Sequence, residues 1–233
     1  HLAQVKRMIQ VFERDGEIHT ETAMQAFGIS NPNNVDKLVH RAPAKNVNFA
    51  VVFGETARGL YEQLVSDNYG KAGIAVPDWL TLEWCEGFLE KWFDIYPEVK
   101  VYMEQQHYRA YRYGMVWDLL GRVRRIPEVR SCHKRVVQAG LRQAGNMPIQ
   151  GLAAELMRLA MSEVQEWIET EVRPQGVWCW PLITVHDELL LEVQEGYGEV
   201  VKGQVEGIFG NVLRGECSVP VLAEGKVMGR WAK

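Results

Sequence analysis

Arg41, Lys45, Phe49 and Phe53 recur at intervals of four in Arg41-Ala-Pro-Ala-Lys-Asn-Val-Asn-Phe-Ala-Val-Val-Phe-Gly54. On a helix that spacing places two cations and two aromatic rings along one slowly drifting stripe. Cations give charge-assisted hydrogen bonds to phosphate oxygens, and a ring gives a platform for a sugar or base. The stripe therefore suits a triphosphate that ends in a flat base. The competing reading is a surface helix whose cations are solvated and whose Phe49 and Phe53 pack inward beside Val47 and Val51.

A second pattern lies far along the chain, in Leu182-Ile-Thr-Val-His186-Asp187-Glu188-Leu-Leu-Leu-Glu-Val193, where an ionisable triplet interrupts two apolar runs. It reads as strand, tight turn, strand. Adjacent carboxylates between core-forming strands repel each other and lose hydration unless a cation sits between them. Hard oxygen ligands favour Mg²⁺, or Mn²⁺, over zinc, and a metal held by few carboxylates leaves positions for substrate phosphates. The alternative is an exposed turn with solvated acids.

The net charge of -4 does not resemble a nucleic-acid protein, yet residues 122 to 142 hold seven cations against one acid. Arg122, Arg124, Arg125, Arg130, Lys134, Arg135 and Arg142, opposed by Glu128, give this patch +6 and leave the remainder at -10. Cations along a phosphate track and acids near metals is a division that polynucleotide chemistry needs. Cys85, Cys132, Cys179 and Cys217 are widely separated and lack flanking histidines at metal-binding spacing, so reduced thiols are expected. No run reaches membrane-spanning length and no targeting segment is visible, which points to a cytoplasmic protein.

Taken together, these motifs resemble the DNA polymerase I family, the family A DNA polymerases. The segment from Arg41 to Gly54 is similar to the fingers helix that grips the incoming nucleotide, and Val185 to Glu188 to the palm turn that holds catalytic metal. Asn146-Met-Pro-Ile-Gln150 resembles the palm helix that touches primer and template. Asp118-Leu-Leu-Gly-Arg122-Val-Arg124-Arg125-Ile-Pro127 resembles the family's Arg-rich loop, and Gly16-Glu-Ile-His19 the segment that sends a histidine towards the nucleotide phosphates. These motifs stand in the family's order, and the resemblance runs through nearly the whole chain.

The resemblance implies template-directed DNA synthesis: nucleotidyl transfer from a deoxynucleoside triphosphate to a primer 3′-hydroxyl, with primer-template DNA as partner and Mg²⁺ as cofactor. Lys45 and Arg41 would hold the triphosphate, His19 would contact its phosphates, and Phe49 and Phe53 would face sugar and base. Lys45 could also protonate the leaving pyrophosphate. Gly54, Arg122, Arg124, Arg125, Arg142, Asn146, Gln150 and His186 would meet DNA. Asp187 would bind metal, with Glu188 in support.

The family's first palm motif, which carries another metal-binding aspartate, is expected upstream of His1 or on a separate chain. The 233 residues alone are then expected not to polymerise. Phe53 stands where the family usually has Tyr, and Ala50 where it has Gly. Phe49 in place of Tyr implies discrimination against dideoxynucleotides. Two other classes remain open: a non-catalytic DNA-binding module, and an unrelated metal-dependent phosphohydrolase built around His186 and Asp187.

The elements needed to position these groups can be read coarsely. Helices are expected over 5–15 and 19–28, then an Asn/Pro loop at 30–34. The fingers helix should start near Arg41, with Pro43 in its first turn, and run past Phe53 towards Gly59. A loop marked by Gly70, Gly73 and Pro77 looks like an insertion typical of a viral or phage-like branch. Further helices are expected over 80–93, 97–113, 131–144 and 148–168, the hairpin at 182–193, a helix over 198–213 and a strand at 219–224. The fold class is α+β, with helices packed on a small antiparallel palm sheet. Residues 1–40 would lead from palm to fingers, 41–115 form the fingers and 116–233 the C-terminal palm.

Overall fold

The computed structural model describes residues 1–71 and 73–231. They are mostly helical, with two small antiparallel sheets, and fall into two compact units, His1–Gln150 and Gly151–Lys233.

The first unit contains α1 (Lys6–Glu13), α2 (Ile18–Phe27), α3 (Ala42–Phe53), α4 (Ala57–Gln63), α5 (Leu82–Ile95) and α6 (Pro97–Tyr113). The main core forms where α3 turns Ala44, Val47, Ala50 and Val51 inward against Ala23 and Ala26 of α2 and against Phe88 and Trp92 of α5. The spacing of those α3 residues is the three-and-four repeat of a one-sided helix. Trp92 and Tyr96 are each 1% exposed, so this core is fixed by large rings rather than by aliphatic side chains alone.

Helix α3 does not continue towards Gly59. It stops at Gly54, whose φ of 64° is left-handed, and α4 starts afresh after Thr56, whose side chain accepts a hydrogen bond from the Gly59 amide. Arg41 lies in a π-helical turn, Lys37–Arg41, that leads into α3. Another π turn, Leu64–Gly70, fills part of the stretch just before the expected loop.

Strands β1 (Met115–Trp117) and β2 (Val123–Arg125) pair antiparallel, Val116 opposite Arg124, so part of the basic stretch is strand rather than a lead into helix. A smaller core of Ala110, Val116, Ile126, Val129, Ala144 and Met147 lies beneath them.

Helix α7 runs unbroken from Lys134 to Trp167 with Pro148 inside, where two helices were expected. Proline removes one backbone donor and crowds the preceding turn. The carbonyl that loses its donor is that of Ala144, four residues before Pro148, and the adjacent Gly145 carbonyl accepts a hydrogen bond from the buried Tyr102 hydroxyl at 3.2 Å, which ties this turn to α6.

In the second unit, β3 (Cys179–Val185) and β4 (Glu188–Val193) form an antiparallel hairpin with an irregularity between Pro181 and Ile183. Leu189, Leu191 and Val193 alternate along β4 onto a core that includes Val164, Ile168, Cys179 and, from α8 (Gly198–Asn211), Val201 and Phe209. The strand expected at 219–224 is absent: residues 219–228 have no regular structure, because no partner offers them a ladder. All four cysteines are free, Cys85 and Cys179 buried. Among the described residues, no helix is long and apolar enough to cross a membrane.

Candidate functional site

The predicted stripe forms on α3, and it faces outward. Lys45, Phe49 and Phe53 are exposed, each ring at 45%, while Val47 and Val51 beside them are at most 3% exposed. The inward-packing alternative for the two phenylalanines is therefore wrong. Burial is supplied by the valines and alanines of the opposite face, which leaves the rings free as platforms.

His19, at the start of α2, packs its ring 5.6 Å from that of Phe49. Its orientation is set by Asn48, which the sequence reading did not single out. The Trp92 indole, which can only donate, gives its Nε1 hydrogen to Asn48 Oδ1 at 2.7 Å. That assigns the two ends of the amide, so Asn48 Nδ2 donates to His19 Nδ1 at 3.0 Å. Nδ1 must accept, and the neutral imidazole carries its proton on Nε2. Thr22 Oγ1 supports the amide at 3.2 Å and lies 3.0 Å from the Tyr96 hydroxyl. Burial lowers the pKa of His19, Glu17 opposes this, and Arg41 and Lys45 reinforce it, so the neutral form is favoured.

Arg41 is engaged differently from Lys45. Its Nε and Nη2 both donate to the Glu17 carboxylate at 3.1 Å. Glu17 also accepts from the amides of His19 and Thr20, capping α2. Burial pushes the Glu17 carboxyl up, but the Thr20 hydroxyl, Arg41 and the two amides outweigh that and hold it at about 2, below its ordinary 4.5. A depressed carboxylate stabilises the fold above its unfolded pKa, and the contribution disappears as pH falls from 4.5 through about 2. Thermal melts across that window should therefore fall more steeply for the parent than for Glu17→Gln. Parallel curves would show that the Glu17 cluster adds nothing to stability.

Lys45 has no carboxylate partner among the described residues. Gly54 ends the stripe in close contact with α7. A Cβ at this position would lie 2.7 Å from Arg142 Cγ, so both the positive φ and the close approach require glycine.

The basic patch is exposed at all seven of its cations. Arg124 and Arg125 are on β2, with Arg122 just before it. The loop between β1 and β2 is shaped by the buried Asp118, whose Oδ1 accepts from the amides of Leu120 and Arg122. Arg124 Nη2 also donates to Gln143 at 2.9 Å. On α7, Arg142, Asn146 and Gln150 repeat every four residues and share a stripe. Asn146 Oδ1 is buried without a hydrogen-bond partner, and a buried acceptor of this kind favours a donor from a ligand.

In the second unit, His186 and Asp187 form the two-residue turn between β3 and β4, and His186 has φ 57°. Such a turn needs a positive φ at its first position to match the twist of the strands. His186, Asp187 and Glu188 are all exposed. The expected desolvation of paired acids is thus not realised, because the turn projects from the sheet instead of lying between its strands. Carboxylate oxygens are the donor type Mg²⁺ or Mn²⁺ prefers. Among the described residues, however, no group of three or more His, Cys, Asp or Glu could enclose an ion. The turn fits an open site of one or two carboxylates, and not a closed metal cage.

The structure brings His19, Arg41, Lys45, Phe49 and Phe53 together around α3, and Arg142, Asn146 and Gln150 onto α7. It adds Glu17, Thr22, Asn48, Trp92 and Tyr96, which hold the first group in place. The one sequence signal for Asn48 is a polar residue beside buried Val47 on a helix.

Comparison with known proteins bears on what this arrangement is. The model of DNA polymerase family A matches residues 1–233. The chain is 35% identical over 213 residues to thermostable DNA polymerase I of Thermus aquaticus, covering 90% of this chain and 23% of that protein. It is 31% identical over 233 residues to DNA polymerase I of Pseudomonas aeruginosa, covering 99% of this chain and 23% of the relative. The fold is similar to that of the POL domain of Pol1 from M. smegmatis in complex with DNA primer-template and dNTP, with a TM-score of 0.79 and 29% identity, covering 95% of this chain and 35% of the other. The chain spans about a quarter of the length of these curated relatives. With its motifs in order, a match along its full length and a shared fold, the chain belongs to DNA polymerase family A.

Proposed function

We propose that this chain carries the nucleotide- and DNA-gripping part of a template-directed DNA polymerase. Residues 1–40 lead from palm to fingers, 41–115 form the fingers, and 116–233 form the C-terminal palm. The observation that best supports this is the exposed face of α3, where Lys45 and two half-exposed phenylalanines stand beside a histidine whose proton Asn48 assigns to Nε2. Lys45 and His19 donate to triphosphate oxygens, Phe49 and Phe53 pack on sugar and base, and Lys45 is the proton donor to pyrophosphate. Arg41 orients Glu17 and adds positive potential. Arg122, Arg124, Arg125, Arg142, Asn146, Gln150 and His186 contact primer-template DNA.

Asp187, supported by Glu188, would hold Mg²⁺ or Mn²⁺, whose contribution when bound is to neutralise charge on the reacting phosphates. Two-metal nucleotidyl transfer needs carboxylates that bridge both ions, and this turn supplies one side. On this reading a further carboxylate outside the turn completes the pair.

The test is primer extension with Mg²⁺ and all four deoxynucleotides. The 233-residue chain should bind primer-template and nucleotide without sustained extension. A longer polypeptide bearing the additional aspartate should extend primers and lose that on Asp187→Ala. Extension at enzyme-like rates by the 233 residues would refute the shared metal site, and absence of both nucleotide and DNA binding would refute the polymerase reading itself.

A further inference from the structure

An aromatic cluster at the end of α6 has no part in the reading above. A cavity of about 500 Å³, open to solvent, is lined by Glu104, Gln105, Tyr108, Arg109, Tyr113 and Trp117 among others. The Arg109 guanidinium lies 4.4 Å over the Trp117 ring, Tyr113 lies 6.0 Å from Trp117 between centroids, and Arg112 lies 5.9 Å over Tyr113. Cation, ring, ring and cation thus follow one another across the exposed junction of α6 and β1. Tyr108 is 62% exposed and Tyr113 51%, which is costly for rings with nothing to cover.

The surroundings indicate what would cover them. Trp117 pairs across the ribbon with Val123, and the next two residues of that strand are Arg124 and Arg125, with Arg122 on its other side. Side chains alternate along the strand, so Arg125 shares the face of Val123 and Trp117, while Arg124 lies opposite Val116 on the other face and bonds Gln143. Stacking rings beside a cationic track are the two components by which single strands are held without sequence preference. A duplex hides its base faces and cannot use the rings. Glu104 and Gln105 line the same cavity, and their carboxylate and amide suit the N–H edge of an unstacked base, such as the N3–H of thymine, rather than its phosphates. An apolar protein partner would find two arginines and a carboxylate inside its contact, an unfavourable environment.

We propose that this cluster is a binding site for single-stranded nucleic acid, separate from the nucleotide-facing stripe of α3. One or two bases stack on Tyr108, Tyr113 and Trp117 while Arg109 and Arg125 take the backbone.

The experiment is fluorescence anisotropy of a labelled oligothymidylate, about a dozen nucleotides long, titrated with the full 233-residue chain at low and moderate salt. Tyr108→Ala and Tyr113→Ala remove exposed rings, so the fold should persist, and each should weaken binding by roughly tenfold. The salt dependence should stay unchanged in these variants, because no phosphate contact is lost. Arg109→Gln should instead flatten it. Blunt duplex DNA should compete poorly against the single strand. Tight binding that survives Tyr108→Ala and Tyr113→Ala together, or equal competition by duplex, would overturn the proposal. So would unchanged oligothymidylate affinity in Trp117→Phe, Tyr108→Ala and Arg109→Gln alike, which would leave the surface to a protein partner. Deoxynucleotide binding measured in Tyr108→Ala and Tyr113→Ala should match the parent's, so failure here is distinguishable from failure of the polymerase reading.

Discussion

Replacing Lys45 by alanine is expected to weaken deoxynucleotide binding by roughly 10- to 100-fold, the value of one charge-assisted hydrogen bond to phosphate. The effect should exceed that of Arg41→Ala. Lys45 stands exposed without a carboxylate partner among the described residues, whereas both donors that Arg41 directs at Glu17 are already engaged at 3.1 Å. A cation whose charge is compensated within the protein contributes less field to a ligand than one that is free. Titration of a fluorescent deoxynucleotide with both variants, alongside circular dichroism to show that the helices persist, measures the difference. A larger loss in Arg41→Ala would reverse the assignment and make the Glu17 pair a holding position that the ligand opens.

Trp92→Phe should have the largest effect per atom removed. Phenylalanine retains much of the ring burial but cannot donate to Asn48 Oδ1, which then keeps only the longer 3.3 Å contact from the Thr22 hydroxyl, in a site where Trp92 is 1% exposed. Loss of the shorter of two hydrogen bonds costs about 0.5–1.5 kcal/mol, equivalent to a melting temperature lower by about 1–6 °C for a chain of this size. Trp92→Ala adds a cavity and should cost about 3–5 kcal/mol, a large part of a typical stability of 5–15 kcal/mol. The more informative readout is the histidine. With the amide free to turn, His19 Nδ1 is no longer compelled to accept, and long-range ¹H–¹⁵N spectra should change from a pure Nε2–H tautomer to a mixture. A spectrum identical to the parent's would mean that Thr22, and not Trp92, sets the direction of Asn48.

The chemistry-bearing stripe was legible because four-residue spacing is a local property: once α3 forms, Lys45, Phe49 and Phe53 can only lie together. Asn48 was not legible, since its role depends on Trp92, 44 residues away, and on Thr22, 26 residues away. The turn at His186 and Asp187 was equally local, but its exposure was misjudged because hydrophobic neighbours on a strand do not reveal whether a turn projects beyond the sheet. Helix α7 shows the reverse error. Pro148 is a strong local signal to stop, yet the helix continues through it, and the packing of its flanking turns, with Ala144 and Met147 in a core and Gly145 bonded to Tyr102, is tertiary and not local. At 219–224 the residue types favoured a strand, but strands exist only in pairs, and pairing is not written in six residues.

The hairpin β3–β4 has a consequence for the protein as a material. Strand β3 has β4 as its sole ladder partner among the described residues, and Trp178, Trp180, Leu182 and Ile183 are each 45–54% exposed along it. An apolar strand with an open edge is where molecules join sheet to sheet. A net charge of -4 spread over 233 residues is weak colloidal protection against this. Arg173, paired with Glu169, lays its guanidinium 3.7 Å over the Trp180 ring and so covers one face of an exposed apolar side chain of this strand. A charged cover of this kind is a gatekeeper, and Arg173→Ala is expected to raise the light scattering of a concentrated solution over time at unchanged secondary structure.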